Sequence, residues 1–187
     1  MRLITILIIG GAGSGKSYFA QELAPKLGEP VLFVATAVAG DEEMRKRIEE
    51  HRRKRPAWST LEVTTKVGKK IVKKIGGAQV VIVDCITLLV NNIFSQYSDQ
   101  TGEQIDTPLI EKRLTAEIDE LIECITQVDA SFIIVTNEVG LGLVPANRLG
   151  RLYRDSLAKA NQMLAQAADE VYLMVAGLPV PIKPAKK

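Results

Sequence analysis

The chain has 187 residues, of which 47% are hydrophobic and 25% charged, a balance typical of a folded domain rather than a disordered chain. Its 24 basic and 22 acidic residues leave a net charge of +2, so the protein as a whole has no basic surface of the kind that binds nucleic acid. The apolar runs are too short to span a bilayer, and two cysteines are too few for a disulfide framework, so we expect a cytoplasmic protein without a membrane span.

Strand and helix patterns alternate along the first half of the chain. The β-branched run Leu3–Ile9 predicts a strand that is buried on both faces, and apolar residues at helical spacing predict a helix from Lys16 to about Leu27. The segment Asp41–Arg55 has the composition of a charged helix, and four apolar residues predict another helix from Val67 to Ile75. The remaining strands predicted in this half are Val31–Ala35, Trp58–Val63 and Val80–Val83.

The second half continues the alternation. A polar loop is predicted at Ser95–Asp106, followed by a helix with Thr107 as its N-cap and Pro108 in its first turn. The remaining elements predicted are strands at Phe132–Val135 and Val171–Val175, a helix from about Asn147 to Ala167, and a short edge strand at Val180–Lys183. The pattern predicts one α/β domain over residues 1–187, with a mainly parallel sheet flanked by helices and an antiparallel strand at its C-terminal edge.

A glycine-rich loop follows the first predicted strand. Its sequence fits G-x-x-x-x-G-K-[ST] and lies before the first predicted helix, which is the setting of a phosphate-binding loop. Backbone N–H groups of such a loop surround phosphate oxygens, its lysine reaches the β- and γ-phosphates, and its serine ligates Mg²⁺. The residues concerned are Gly10, Gly11, Ala12, Gly13, Ser14, Gly15, Lys16 and Ser17. They predict a P-loop NTPase-like (RecA-like) nucleotide-binding domain, and the alternative is a glycine-rich turn with an accidental Lys-Ser pair.

A carboxylate ends the strand Val80–Val83. Asp84 occupies the place of the Walker B acid, which holds Mg²⁺ directly or through water. The alternative is that Asp84 caps a helix that starts near Ile86. Beside the phosphate loop we favour the metal role, so Ser17 and Asp84 form the predicted Mg²⁺ site.

Nucleotide binding by itself leaves several classes of protein open. One is a P-loop kinase that acts on a small molecule or a nucleotide, and another is a nucleotide-dependent switch protein. The chain has no Asn-Lys-x-Asp sequence, which weakens the guanine-specific switch.

The predicted helix Asp41–Arg55 buries little apolar surface and is expected to project from the domain. It contains His51, the only histidine of the chain, directly before a basic cluster. One interpretation is a solvated helix with a surface histidine. The other is an imidazole nucleophile that attacks the α-phosphorus of a triphosphate held by the basic residues Arg52, Arg53, Lys54 and Arg55.

Taken together, these motifs resemble the bifunctional adenosylcobinamide kinase / adenosylcobinamide-phosphate guanylyltransferases of cobalamin biosynthesis. The resemblance runs along nearly the whole chain. The His51 helix and the Asn-Glu-Val-Gly run are more specific than the phosphate loop, which many families share. The matching segments are Gly10–Ser17, Ala35–Ala37, Asp41–Trp58, Asp84–Thr87, Thr136–Gly140, Val144–Arg148, Arg154–Asp155 and Ala167–Val171.

The resemblance implies that adenosylcobinamide is phosphorylated with GTP or ATP as donor. GMP is then transferred from GTP onto adenosylcobinamide phosphate through a GMP–histidine intermediate. His51 matches the guanylylated histidine, and the phosphate loop with Lys16 matches the nucleotide-binding loop. Further positions that match GTP contacts are Ala35, Thr36, Ala37, Arg52, Arg53, Lys54, Arg55, Glu62 and Asp84. A homotrimer with sites near the subunit boundaries is also implied.

Two positions depart from the family pattern, since Ala37 stands where serine is expected and Asp84 where some members have glutamate.

Two other features of the sequence each allow two interpretations. The run Asn137–Gly140 is either a turn or a ligand contact. The arginines on the last predicted helix either bind phosphate or form a solvated stripe, and they are Arg148, Arg151 and Arg154.

Overall fold

The computed structural model describes residues 3–37, 42, 45–46, 49, 52–53, 56–97 and 105–184. Its strands are β1 (Thr5–Gly10), β2 (Val31–Ala35), β3 (Ser59–Glu62), β4 (Val80–Asp84), β5 (Ser131–Val135), β6 (Glu170–Val175) and β7 (Leu178–Lys183). Its helices are α1 (Lys16–Leu27), α2 (Val67–Lys74), α3 (Ile86–Tyr97), α4 (Thr107–Gln127) and α5 (Arg148–Ala167). The described residues between 42 and 53 are also helical. The rest of the predicted charged helix, with His51, Lys54 and Arg55, lies outside the described residues.

The seven strands form one sheet in the order β3-β2-β4-β5-β1-β6-β7, parallel except for the β6–β7 pair. Alternate residues of each strand face opposite sides. In β1, Ile6 and Ile8 pack with α1, whereas Leu7 packs with the cluster formed by α2, α3, α4 and α5. Burial on both faces explains why the sequences of the inner strands are unbroken runs of apolar residues. The predicted α/β class and the antiparallel C-terminal edge strand are both confirmed.

Strand β7 lies at the edge of the sheet, where proline is tolerated. Pro179 and Pro181 lack the N–H that a further strand would need, so they block pairing on to this edge. The ammonium of Lys183 donates to the carbonyls of Ala165 (2.9 Å) and Ala168 (2.5 Å) at the C-terminal end of α5. This cap ties the edge strand to a helix that packs under the sheet.

Two predicted boundaries were wrong. Helix α4 is capped by Asp106 and not by Thr107, because the Asp106 carboxylate accepts a 3.0 Å hydrogen bond from the N–H of Leu109. A charged acceptor also suits the positive end of the helix dipole. The predicted loop at Ser95–Asp106 begins too early, since α3 continues to Tyr97. Among the described helices, none is long and apolar enough to cross a membrane.

Candidate active site

The carboxyl ends of the parallel strands lie in one row. The strand register pairs Glu62 with Ala35, Ala35 with Asp84, Asp84 with Val135, and Val135 with Ile8. Neighbouring strands are about 4.8 Å apart, so the row from β3 to β1 spans roughly 19 Å. The predicted site residues at the described strand ends therefore lie along the carboxyl side of the sheet, with Glu62 at one end of the row and the phosphate loop at the other.

The phosphate loop connects β1 to α1 and needs its glycines. Gly13 and Gly15 adopt left-handed backbone angles, with φ values of 70° and 93°. A Cβ on Gly10 would lie 2.7 Å from the carbonyl oxygen of Met174 on β6. The loop sequence is therefore set by backbone geometry as well as by any ligand.

The turn between β6 and β7 supports the loop from outside. The N–H of Gly177 donates to the carbonyl of Ser14 at 3.1 Å. A Cβ on Gly15 would lie 3.2 Å from the Cα of Gly177, so the two backbones are in close contact. Sequence reasoning missed this contact. Its only local signal was Ala176-Gly177, a two-residue hairpin turn with φ values of 50° and 83°.

Lys16 lies inside the loop. Its ammonium donates a 2.6 Å hydrogen bond to the carbonyl of Gly11, and the residue is only 7% exposed. Burial lowers the pKa of Lys16, and the nearby Cys85 and Asp84 oppose that shift. Burial, with a contribution from Asp84, raises the pKa of Cys85 to about 11, so its thiol stays protonated at neutral pH. Lys16 and Asp84 thus bring opposite charges close to each other beside the phosphate loop.

Two serines of the loop offer oxygen atoms. The Ser14 hydroxyl is buried and has no hydrogen-bond partner within the described part of the chain. A buried hydroxyl in this condition is a free donor for a phosphate oxygen. Ser17 lies half-buried in the first turn of α1, as the motif predicted.

Thr36 uses its side chain to hold the strand end that carries Asp84. Its buried hydroxyl accepts from the N–H of Cys85 (2.8 Å) and donates to the carbonyl of Cys85 (2.7 Å). Its own N–H donates to the carbonyl of Asp84 at 3.2 Å. Thr36 therefore positions the Asp84–Cys85 backbone, whereas Ala35 and Ala37 on either side of it present only methyl groups.

We expect Thr36→Val to lower the free energy of unfolding by about 1–3 kcal/mol, because the N–H of Cys85 loses its hydrogen-bond partner, whereas the carbonyl of Cys85 keeps the N–H of Leu89. Urea unfolding measures the change. Thr126→Val is the matched control, since the exposed Thr126 hydroxyl bonds only to Glu123 in its own helix and its loss should cost within about 0.5 kcal/mol. Equal losses in the two variants would contradict the positioning role of Thr36.

Arg52 of the charged segment lies at the opposite end of the row. Arg52 forms an ion pair with Glu62 at the end of β3, and both side chains are more than half exposed. Arg53 lies 4.0 Å from Glu49, one helical turn earlier. Exposed ion pairs contribute little free energy, so an anionic ligand can compete for these arginines.

The run Asn137–Gly140 follows β5, which is the strand between β1 and β4. The run therefore lies between the phosphate loop and Asp84. The N–H of Asn137 donates to the Thr87 hydroxyl at 2.8 Å, and the Asn161 amide donates to the Asn137 carbonyl at 3.0 Å. The N–H of Glu138 donates to the carbonyl of Gly10 at 3.0 Å. The run is therefore built into the edge of the phosphate loop.

Two of the three arginines of α5 are engaged within the protein. Arg151 donates to the carbonyls of Pro145 (3.0 Å) and Ala146 (2.6 Å), and Arg154 pairs with Asp155 at 2.9 Å. Arg151 thus anchors the loop that precedes α5, which is neither of the two roles that the sequence suggested.

Comparison with known proteins identifies the family. The family model for cobinamide kinase / cobinamide phosphate guanyltransferase matches residues 6–182. The chain is 41% identical over 180 residues to the bifunctional adenosylcobalamin biosynthesis protein CobU of Escherichia coli, covering 95% of this chain and 99% of that protein. It is 40% identical over 178 residues to the bifunctional adenosylcobalamin biosynthesis protein CobP of Pseudomonas aeruginosa, with 95% and 96% covered.

A solved structure supports the fold alone. The flagellar accessory protein FlaH from Methanocaldococcus jannaschii superposes with a TM-score of 0.52 at 17% identity, over 97% of this chain and 79% of that one. The family match confirms the kinase and guanylyltransferase class and the assignment to cobalamin biosynthesis. The chain belongs to the family of bifunctional cobinamide kinases / cobinamide phosphate guanyltransferases.

Proposed function

We propose that the chain phosphorylates adenosylcobinamide and then transfers GMP from GTP to adenosylcobinamide phosphate through a GMP intermediate on His51. The observation that carries the proposal is the row of strand ends. It places the phosphate loop at one end, Asp84 on the middle strand near Lys16, and Arg52 with Glu62 at the other end. The matching family supplies the two activities that this edge serves.

In the kinase step, the loop N–H groups and Lys16 bind the triphosphate of GTP or ATP. A phosphate oxygen takes the place of the Gly11 carbonyl as the acceptor for the Lys16 ammonium, and the Ser14 hydroxyl gains a partner. Because Lys16 is buried, its charge acts on the γ-phosphate through little water, which strengthens the stabilisation of charge that develops during transfer.

Mg²⁺ fits between the phosphate loop and Asp84. Ser17 and Asp84 offer the hydroxyl and carboxylate oxygens that this cation prefers, and they would hold it beside the loop. When bound, the ion neutralises charge on the β- and γ-phosphate oxygens.

In the transfer step, the basic residues from Arg52 to Arg55 attract the triphosphate of GTP, and Glu62 and residues 35–37 complete the GTP contacts. An imidazole nitrogen of His51 forms a bond to the α-phosphorus, and the bond from that phosphorus to the oxygen bridging the α- and β-phosphorus atoms breaks, so pyrophosphate leaves. An oxygen of adenosylcobinamide phosphate then attacks the same phosphorus and releases His51, which yields adenosylcobinamide-GDP.

Labelled GTP tests the proposal. The protein is incubated with α-labelled or γ-labelled GTP, with and without adenosylcobinamide. We expect γ-label on adenosylcobinamide phosphate, and α-label on the protein and then on the GDP product. Transfer of γ-label alone would indicate the alternative function, a P-loop kinase without guanylyltransferase activity. Transfer of neither label would indicate a nucleotide-dependent switch protein.

We also propose that the protein acts in the cytoplasm as a homotrimer. Both cysteines are free thiols, as a reducing compartment requires. Strand β7 exposes a row of aliphatic side chains, with Leu178 68%, Val180 44% and Ile182 54% exposed. Such a surface supports packing between subunits.

Light scattering at micromolar concentration should give three times the chain mass of 20.4 kDa. Val180→Glu should lower the mass, because a buried charge in the interface is costly. Val72→Glu is the matched control, since Val72 is 45% exposed on α2 and its replacement should leave the trimer intact. A fully active wild-type monomer would contradict the assembly, and a trimeric Val180→Glu protein would exclude β7 from the interface.

A further inference from the structure

We propose that Glu138 is the general base of the kinase step, the group that takes the proton from the adenosylcobinamide hydroxyl as its oxygen attacks the γ-phosphorus. The inference rests on the proposed function and goes beyond it. Neither the sequence motifs nor the family resemblance assigned a base, and Glu138 was predicted only as part of a turn or a ligand contact.

The strand order places Glu138 between the phosphate loop and Asp84. Val135 pairs with Ile8 of β1 on one side and with Asp84 of β4 on the other. The residues that follow Val135 therefore emerge between the phosphate loop and the proposed Mg²⁺ carboxylate. The 3.0 Å hydrogen bond from the N–H of Glu138 to the carbonyl of Gly10 fixes the residue against the first residue of the loop.

A buried polar network holds this strand end still. The Thr136 hydroxyl donates to the side-chain carbonyl of Asn161 at 2.8 Å, and both residues are buried. The Asn161 amide and the Thr87 hydroxyl then engage the carbonyl and the N–H of Asn137. The Tyr153 hydroxyl donates to the carbonyl of Thr87 at 3.0 Å. Such anchoring is more than a turn requires, and a catalytic base needs it because its efficiency depends on position.

The carboxylate of Glu138 is oriented and retains an acceptor. Its Oε1 accepts a 2.5 Å hydrogen bond from the N–H of Gly140. Within the described part of the chain, no cation pairs with Glu138 and its second oxygen has no hydrogen-bond partner. A half-buried carboxylate with one oxygen held and one available is suited to accept a proton.

The other carboxylates on this edge have different positions and partners. Asp84 lies near the Lys16 ammonium and is the proposed Mg²⁺ ligand. Glu62 pairs with Arg52 at the far end of the row. Glu138 also leads into a loop in which Leu143 is 97% exposed, an apolar surface that suits a large macrocyclic acceptor next to the base.

The acceptor hydroxyl oxygen forms a bond to the γ-phosphorus, and the bond from the γ-phosphorus to the oxygen that bridges it to the β-phosphorus breaks. The nucleoside diphosphate leaves with that bridging oxygen. The hydroxyl proton passes to the Glu138 carboxylate and then to water.

Glu138→Gln tests the inference, because glutamine can still accept from Gly140 but cannot take a proton. We expect kcat for transfer of γ-label to adenosylcobinamide to fall at least about 100-fold. GMP transfer onto supplied adenosylcobinamide phosphate should stay within about twofold, which also shows that the variant is folded. Glu111→Gln, an exposed change on α4, is the matched control and should behave as wild type.

Two outcomes would overturn the inference while leaving the proposed function in place. One is a Glu138→Gln kinase rate within about threefold of wild type. The other is an equal loss of both activities, which would mean a structural role. If Glu138→Gln does not fold, Glu138→Asp replaces it, and this shorter base should slow the kinase step while GMP transfer stays within about twofold of wild type. Wild-type protein that transfers no γ-label would instead overturn the proposed function itself.

Discussion

Lys16→Ala should slow phosphoryl transfer to adenosylcobinamide by at least about two decades. The Lys16 ammonium lies inside the phosphate loop, 2.6 Å from the Gly11 carbonyl, and the residue is 7% exposed. The attraction between two charges is stronger in such a site than in water. Alanine removes the ammonium, so the negative charge that develops on the phosphates is no longer stabilised by it. Transfer of γ-label from GTP measures the loss.

Lys26→Ala is the control for that experiment. Lys26 lies on the same helix, in its exposed last turn, so its removal changes the net charge equally without touching the loop. It should keep the wild-type rate. The proposal has Lys16 bind the triphosphate in both half-reactions, so GMP transfer should also decline in Lys16→Ala. A near-normal kinase rate in Lys16→Ala would remove the phosphate-loop assignment.

His51→Ala should abolish both the attachment of GMP to the protein and the formation of adenosylcobinamide-GDP. His51 is the only histidine, so no other imidazole can replace it. Phosphorylation of adenosylcobinamide should persist, because the γ-phosphoryl group passes to the hydroxyl without a histidine intermediate. The expected result is therefore a split, in which α-label transfer is lost and γ-label transfer remains.

The chemistry of the adduct gives a second readout. A phosphoramidate on wild-type protein should be labile in acid and stable in base. Lys46→Ala, an exposed change in the same charged segment, should still form the adduct. Labelling of the His51→Ala protein by α-labelled GTP, or an acid-stable adduct on wild type, would reduce His51 to a surface residue of a solvated helix.

The geometry explains why His51→Ala should affect GMP transfer alone, whereas Lys16→Ala should also slow the kinase step. Arg52, the residue after His51 in the chain, pairs with Glu62 at the end of β3, whereas Lys16 belongs to the loop after β1. Three strands, β2, β4 and β5, lie between them. We therefore expect both half-reactions to take place along the row of strand ends, with His51 acting near the β3 end and Lys16 acting near the β1 end.

Local sequence patterns predict the parts of this protein that depend on neighbours in the chain. The buried strand before Gly10, the glycines of the loop and the carboxylate at the end of β4 are local patterns, so the nucleotide site and the α/β class could be predicted from them. The resemblance added the family and the role of His51. The domain assignment and the individual site roles stay predictions.

The residues that meet across the sheet are visible in the folded protein and not in any local stretch of the sequence. Strand order placed β5 between β1 and β4, and this put Glu138 beside Gly10, although the two are distant in sequence. The same holds for the Thr36 hydroxyl on Cys85 and for Gly177 against the phosphate loop. These contacts depend on strand pairing and register, which arise from packing of the whole core, and no local pattern around each residue encodes its distant partner.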